Sequence, residues 1–129
     1  MKAAYIERTG PPEVIQVGRL PDPRPEANQV LVRVAAVAVN PVDTYLRAGM
    51  IPAPLPTPYI IGSDLAGTVE AIGPEARRFG PGDRVWCTNQ GFFGRQGTFA
   101  ELAAVEEPWL YPIPDGVAER DAAAMALVG

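Results

Sequence analysis

A chain of 129 residues with 47% hydrophobic content holds one domain with a real core and is too short for two. Its formal charge of −4 is mildly acidic and its Lys and Arg residues are scattered rather than striped, which argues against a nucleic-acid partner. The single cysteine, Cys87, excludes an internal disulfide and fits a reducing compartment, and the chain has no histidine.

No signal peptide or membrane span is visible, because apolar stretches such as Val34 to Val39 fall far short of the roughly 20 residues a span needs. The expectation is a cytoplasmic protein. Fifteen prolines and thirteen glycines cut the chain into short pieces, which predicts an all-β domain of many strands and turns. Strands are expected near Lys2–Glu7 and Val14–Leu20, followed by a Pro-rich loop from Pro21 to Ala27. The run QVLVRVAAVAV, Gln29–Val39, is apolar on both faces apart from Arg33, so it should be central and covered on both sides.

Val42 to Ala48 suits a short helix with Pro41 at its first position and Asn40 as its cap. From Pro52 to Pro58 proline alternates with small or apolar residues and favours an extended conformation, either a stiff spacer or a loop rimming a site. Strands are expected again at Asp64–Ile72, Arg84–Cys87, Thr98–Val105 and Trp109–Pro112, with a turn at Pro81-Gly82-Asp83. Glu119–Leu127 is Ala-rich with an acidic first turn, and it is the only long helix expected.

Chemistry concentrates between Val39 and Gly67. Asn40, Asp43 and Tyr45 fall within six residues of one another, and Ser63 and Asp64 follow the Pro-rich loop. Each has a plainer reading: Asn before Pro is usual turn chemistry, and an aromatic on a short helix is commonly core. Several motifs fail. Gly62 to Thr68 has two glycines spaced as in a phosphate-binding loop but no lysine after the second, and Gly91 to Gly97 lacks the dinucleotide fingerprint. One Cys and no His cannot furnish a protein zinc site. Without a histidine base, Cys87 and Ser63 are not expected to be nucleophiles, and Cys87 reads as a buried strand residue.

The strings VNPVDTYLRAG, Ile61-Gly62-Ser63-Asp64 with Ala66-Gly67, Val69-Glu70-Ala71-Ile72-Gly73 and Gly82-Asp83-Arg84-Val85 occur in that order along nearly the whole chain. Together they resemble the zeta-crystallin and quinone oxidoreductase branch of the medium-chain dehydrogenase/reductase superfamily. The resemblance implies a GroES-like, partly open β-barrel spanning residues 1–129, with short helices and a C-terminal Ala-rich helix. It also implies a Rossmann domain for NADPH lying outside this chain, and an active site in the cleft between the two. The chain is therefore expected to be part of a longer enzyme, inactive alone, that passes hydride to a quinone or an α,β-unsaturated carbonyl.

By the same resemblance Tyr45 faces the nicotinamide, Asn40 and Asp43 line the substrate end, and Ile51 and Ser63 belong to the substrate pocket. Asn40 and Tyr45 are the expected hydrogen-bond donors, with Asp43 orienting them. Zinc-dependent relatives carry a cysteine ligand where this chain has Asn40 and Gly-His-Glu where it has Gly62-Ser63-Asp64, so this chain resembles the zinc-free branch. In several relatives an aromatic stands where Ile51 does, and Phe92, Phe93 or Trp86 are the candidates to replace its flat surface. A non-enzymatic GroES-like binding or scaffold module is the rival reading. The face meant for the cofactor domain is apolar enough to expect a homo-oligomer, a symmetric dimer.

Overall fold

Short apolar runs, punctuated by proline and glycine, become eight strands and two short helices in the computed structural model, which describes residues 1–129. In chain order they are β1 (Lys2–Ile6), β2 (Gln16–Arg19), β3 (Gln29–Ala38), α1 (Pro41–Ala48), β4 (Tyr59–Ile60), β5 (Asp64–Ile72), β6 (Arg84–Cys87), β7 (Leu102–Glu106), β8 (Tyr111–Pro112) and α2 (Glu119–Met125). Five strands form one antiparallel sheet in the order β7-β3-β5-β6-β8. A second sheet runs β2-β1-β4, and an isolated bridge between Ala3 and Ala100 links β1 to the later chain. The two sheets do not close. The fold is mainly β and matches the partly open GroES-like architecture expected.

Alternation along β5 serves two faces. Leu65 and Val69 enter the main core with Val30, Val32, Val85, Cys87 and Val105, while Ala66 turns the other way to pack under α2 beside Ala123 and Ile113. Full burial of each Leu or Val is worth about 1.5–3 kcal/mol, so this ten-residue cluster carries most of the sheet's cohesion. A smaller cluster of Ile6, Val14, Tyr59 and Ile61 fills the space beneath the three-stranded sheet.

β3 is central, as its pattern predicts, but only its first half is covered on both faces. Val30, Leu31 and Val32 are buried, whereas from Arg33 onward residues alternate between exposed and half-buried and Val37 is 39% exposed. α2, of seven residues, packs on this second half through Ala36, which lies against the cluster of Ala66 and Ala123. The expectation of a single long helix at Glu119–Leu127 is corrected accordingly: α1, with eight residues, is the longer. Ala118 offers no capping side chain and no left-handed cap closes the other end of α2, so little extends it.

Other boundaries shift for local reasons. Pro11 and Pro12 impose a 3-10 turn over Pro12–Val14, so β2 starts at Gln16 rather than Val14. The strand expected from Thr98 begins only at Leu102. Thr98 and Phe99 bond instead to the Ile61 carbonyl, and Glu101 to that of Lys2, as the chain crosses between sheets. Pro108 sits in a second 3-10 turn over Glu107–Trp109, which leaves only Tyr111–Pro112 as strand. The two-residue β4 went unanticipated because it lies hidden behind the Pro-rich loop.

Candidate active site

Pairing of β3 with β5 builds the site. Their register ends with Ala38 opposite Asp64, so Asn40, two residues beyond, arrives beside the first residue of β5. The Asn40 side-chain amide donates to Asp64 Oδ2 at 2.8 Å. Pro41 then starts α1 at the position where its fixed φ and missing N–H cost nothing.

Across the first turn of α1, the Asn40 backbone N–H donates to Asp43 Oδ2 at 2.8 Å. The Asp43 N–H is bonded to the Asn40 carbonyl at 3.0 Å and faces the Asn40 side chain as well, which closes a capping box. The cap and site readings of Asn40 are thus one arrangement. Asp43 Oδ1 accepts the Ser63 hydroxyl at 3.2 Å. Ser63, Asp43, Asn40 and Asp64 therefore form one continuous hydrogen-bonded chain drawn from two segments of sequence.

Gly62 makes the second segment possible. Its φ of +114° suits glycine, and a Cβ there would lie 2.5 Å from both Thr98 Oγ1 and the Phe99 ring. Thr98 donates to the Asp64 carbonyl at 2.8 Å and Gln90 N–H to that of Ser63 at 3.2 Å, so the turn is pinned from both sides.

All four residues of the network are buried: Asn40 is 7% exposed, Asp43 2%, and Ser63 and Asp64 not at all. The four ion pairs of the chain lie elsewhere, so neither carboxylate has a cation. Burial pushes the Asp43 carboxyl above its ordinary range and the charge of Asp64 adds to that, against the opposing pull of its bonds from Asn40 and Ser63. Asp64 Oδ1 has no partner within the chain. Cys87, fully buried, has its thiol pushed up by burial first and by Asp64 second, which makes it an inert core residue.

Tyr45 lies on α1 outside this network. It is 44% exposed, and its hydroxyl makes no hydrogen bond within the chain. Ile51 sits half-buried on a bend just past Gly49, the left-handed cap of α1, and is likewise outside the network. Of the flat side chains considered as substitutes, Trp86 stacks on Tyr111 at 4.9 Å and is committed to the α2 side of the sheet. Phe93 is 84% exposed on a loop, with Arg95 at 5.5 Å over its ring. Asp64 is the residue to which sequence reasoning assigned no role. The signal available was an acid opening a strand whose next residues, Leu65 and Ala66, are apolar.

Asn40 and Ser63 supply an amide and a hydroxyl engaged with carboxylates. These are poor zinc ligands.

Comparison with known proteins gives the arrangement a family. Residues 26–115 match the alcohol dehydrogenase GroES-like domain. Over 128 residues the chain is 36% identical to a quinone oxidoreductase of Mus musculus, covering 98% of this chain and 38% of that protein. The quinone oxidoreductase of Pseudomonas syringae pv. Tomato superposes with a TM-score of 0.88 at 36% identity, over 98% of this chain and 37% of that one. The quinone oxidoreductase of Escherichia coli complexed with NADPH superposes with a TM-score of 0.87 at 25% identity, again over 98% and 37%. The chain thus spans well under half the length of these relatives.

This chain belongs to the alcohol dehydrogenase GroES-like domain family. Its resemblance to the quinone oxidoreductase branch of the medium-chain dehydrogenase/reductase superfamily, read from the motifs, is borne out by these relatives.

Proposed function

We propose that the chain is the substrate-side domain of a zinc-independent, NADPH-dependent oxidoreductase that reduces a quinone or an α,β-unsaturated carbonyl. The observation that carries this reading is the buried, cation-free network of Asn40, Asp43, Ser63 and Asp64, next to a half-exposed Tyr45 with a free hydroxyl. Two buried carboxylates cost stability. A scaffold of the same fold would have no use for them, whereas a site that must hold donors at fixed angles does.

When bound, the reduced nicotinamide supplies the hydride. Asn40 and Tyr45 are the groups of this chain that donate hydrogen bonds to the oxygen gaining charge. Asp43, with both oxygens occupied by donors, orients rather than reacts, and Ser63 braces it from the other segment. Ile51 contributes an aliphatic wall in place of a stacking aromatic. Only the nicotinamide end of NADPH is expected to touch this chain, at Tyr45, because no glycine-rich turn here has the dinucleotide fingerprint that holds a pyrophosphate. The NADPH complex of the Escherichia coli relative supports the choice of cofactor.

The wall completing the site belongs, in this reading, to a further segment of the enzyme. Support comes from the apolar groups left open around α1 and α2, among them Val39, Met50, Met125 and Val128. The same bare surface supports a dimer, and the free buried thiol of Cys87 suits a cytoplasmic setting.

The test is NADPH oxidation by the complete enzyme against a panel of quinones and enones, with calorimetric titration of NADPH into the 129-residue chain alone. The expected result is turnover with at least one class and no micromolar binding to the chain alone. Absence of hydride transfer to either class would overturn the reading.

A further inference from the structure

A side-chain amide can enter a site in two orientations that exchange its oxygen and its nitrogen, and only the neighbouring groups decide between them. At Asn40 the neighbours are unequal. On one side stands the Asp43 backbone N–H, which only donates. On the other stands Asp64, 2.8 Å away and fully buried, whose Oδ2 accepts from the Asn40 amide. Asp64 itself cannot drift, being held by its place opposite Ala38 and by the Thr98 hydroxyl on its carbonyl.

One Asn40 Nδ2 hydrogen is therefore committed to Asp64, and the second has no acceptor within the chain. We propose that Asp64 is a positioning residue that locks the Asn40 amide so that this second hydrogen is always presented to the substrate oxygen. The inference rests on the oxidoreductase reading above. With the amide reversed, Asn40 would present its carbonyl oxygen and repel the charge developing on a quinone or enone oxygen. Preorganisation of this kind acts on the transition state more than on binding, so its loss falls on kcat.

Two variants separate positioning from structure. Asp64→Asn keeps size and shape but offers both donor and acceptor, so the amide is free to turn. The expected result is a kcat lowered about tenfold with KM within about twofold. Exchanging the pair, Asn40→Asp with Asp64→Asn, restores a hydrogen bond across the gap while removing the donor from position 40. A structural role would be rescued by the exchange, whereas a positioning role predicts a folded protein with kcat lowered about a hundredfold.

Wild-type kcat in either variant overturns the proposal. Asn40→Ala, assayed beside them, distinguishes the two levels: if it lowers kcat while Asp64→Asn does not, the lock fails and the site reading stands. If Asn40→Ala itself leaves kcat unchanged, the site reading falls and the lock with it. A measurement on the unaltered protein serves even where variants misfold. Nitrogen-15 spectra should show one Asn40 Nδ2 proton slow to exchange and its twin fast, with only the fast one shifted by a quinone. Equal exchange of the two would overturn the lock.

Discussion

Ser63 Oγ lies 3.2 Å from Asp43 Oδ1 and is that oxygen's hydrogen-bond donor, joining the start of α1 to the start of β5 across twenty residues of chain. Ser63→Ala would leave a buried carboxylate oxygen without a partner, at a cost of about 1–3 kcal/mol. The cost should depend on pH in a known direction. Burial holds the Asp43 carboxyl above its ordinary value, so ionising it opposes folding, and the hydroxyl that eases ionisation matters most once Asp43 is charged. Urea titrations should therefore show a larger loss above the raised Asp43 value, where the carboxyl is charged, than in acid, where it holds its proton. An equal loss at both would mean that Ser63 acts by packing alone.

Gly62→Ala tests the turn that delivers Ser63 and Asp64. The substitution combines a left-handed backbone with a Cβ 2.5 Å from Thr98 Oγ1 and the Phe99 ring. Strain and overpacking together predict a loss of about 3 kcal/mol. Thermal melts check this, and a change of under about 0.5 kcal/mol would show that the turn can be built another way.

Glu107 offers the opposite pH dependence. It is 5% exposed, and burial alone would raise its carboxyl, but the backbone N–H groups of Arg77, Arg78 and Phe79 donate to it at 2.8, 2.7 and 3.1 Å. The donors win, and the carboxyl is held below its ordinary value. Its contribution is present in full above that value and is lost as pH falls through the lowered one. Glu107→Gln should therefore destabilise the protein at neutral pH and differ little from wild type once both are acidified. Parallel stability curves across the acid range would contradict this.

Tyr45→Phe should leave stability unchanged, because the hydroxyl bonds nothing within the chain. In the complete enzyme the same change should lower kcat/KM by about one to two orders of magnitude if the hydroxyl meets the substrate oxygen or the nicotinamide. Steady-state kinetics decide it. Wild-type kinetics would reduce Tyr45 to a surface aromatic.

What could be read from the sequence follows from how local each signal is. Pro41 after Asn40 and Gly49 after Ala48 bracket α1, because caps are written in adjacent residues. The strand pattern of β3 and β5 was equally legible. Asp64 was not, because its role depends on which residue of β3 lies opposite it, and register with two bulges is not local information. The late start of β7 has the same cause: Thr98 to Glu101 have strand-like side chains, but their partners are Ile61 and Lys2. Ile51 and Tyr45 were placed by resemblance, and their roles remain proposals.

The bonds from Thr98 to Ile61 and Asp64, and from Gly97 to Ile60, also set a timetable. A ribosome adds roughly 5–20 residues per second, so Ser63 and Asp64 leave it several seconds before the residues that hold their turn in place. During that interval α1 and its cap can form, but the two carboxylates have no fixed relation to each other. β1 waits longer still, since Lys2 and Ala4 are tied to Glu101 and Phe99. The corner that holds the buried network is thus completed only once Thr98, 34 residues after Asp64, has been made.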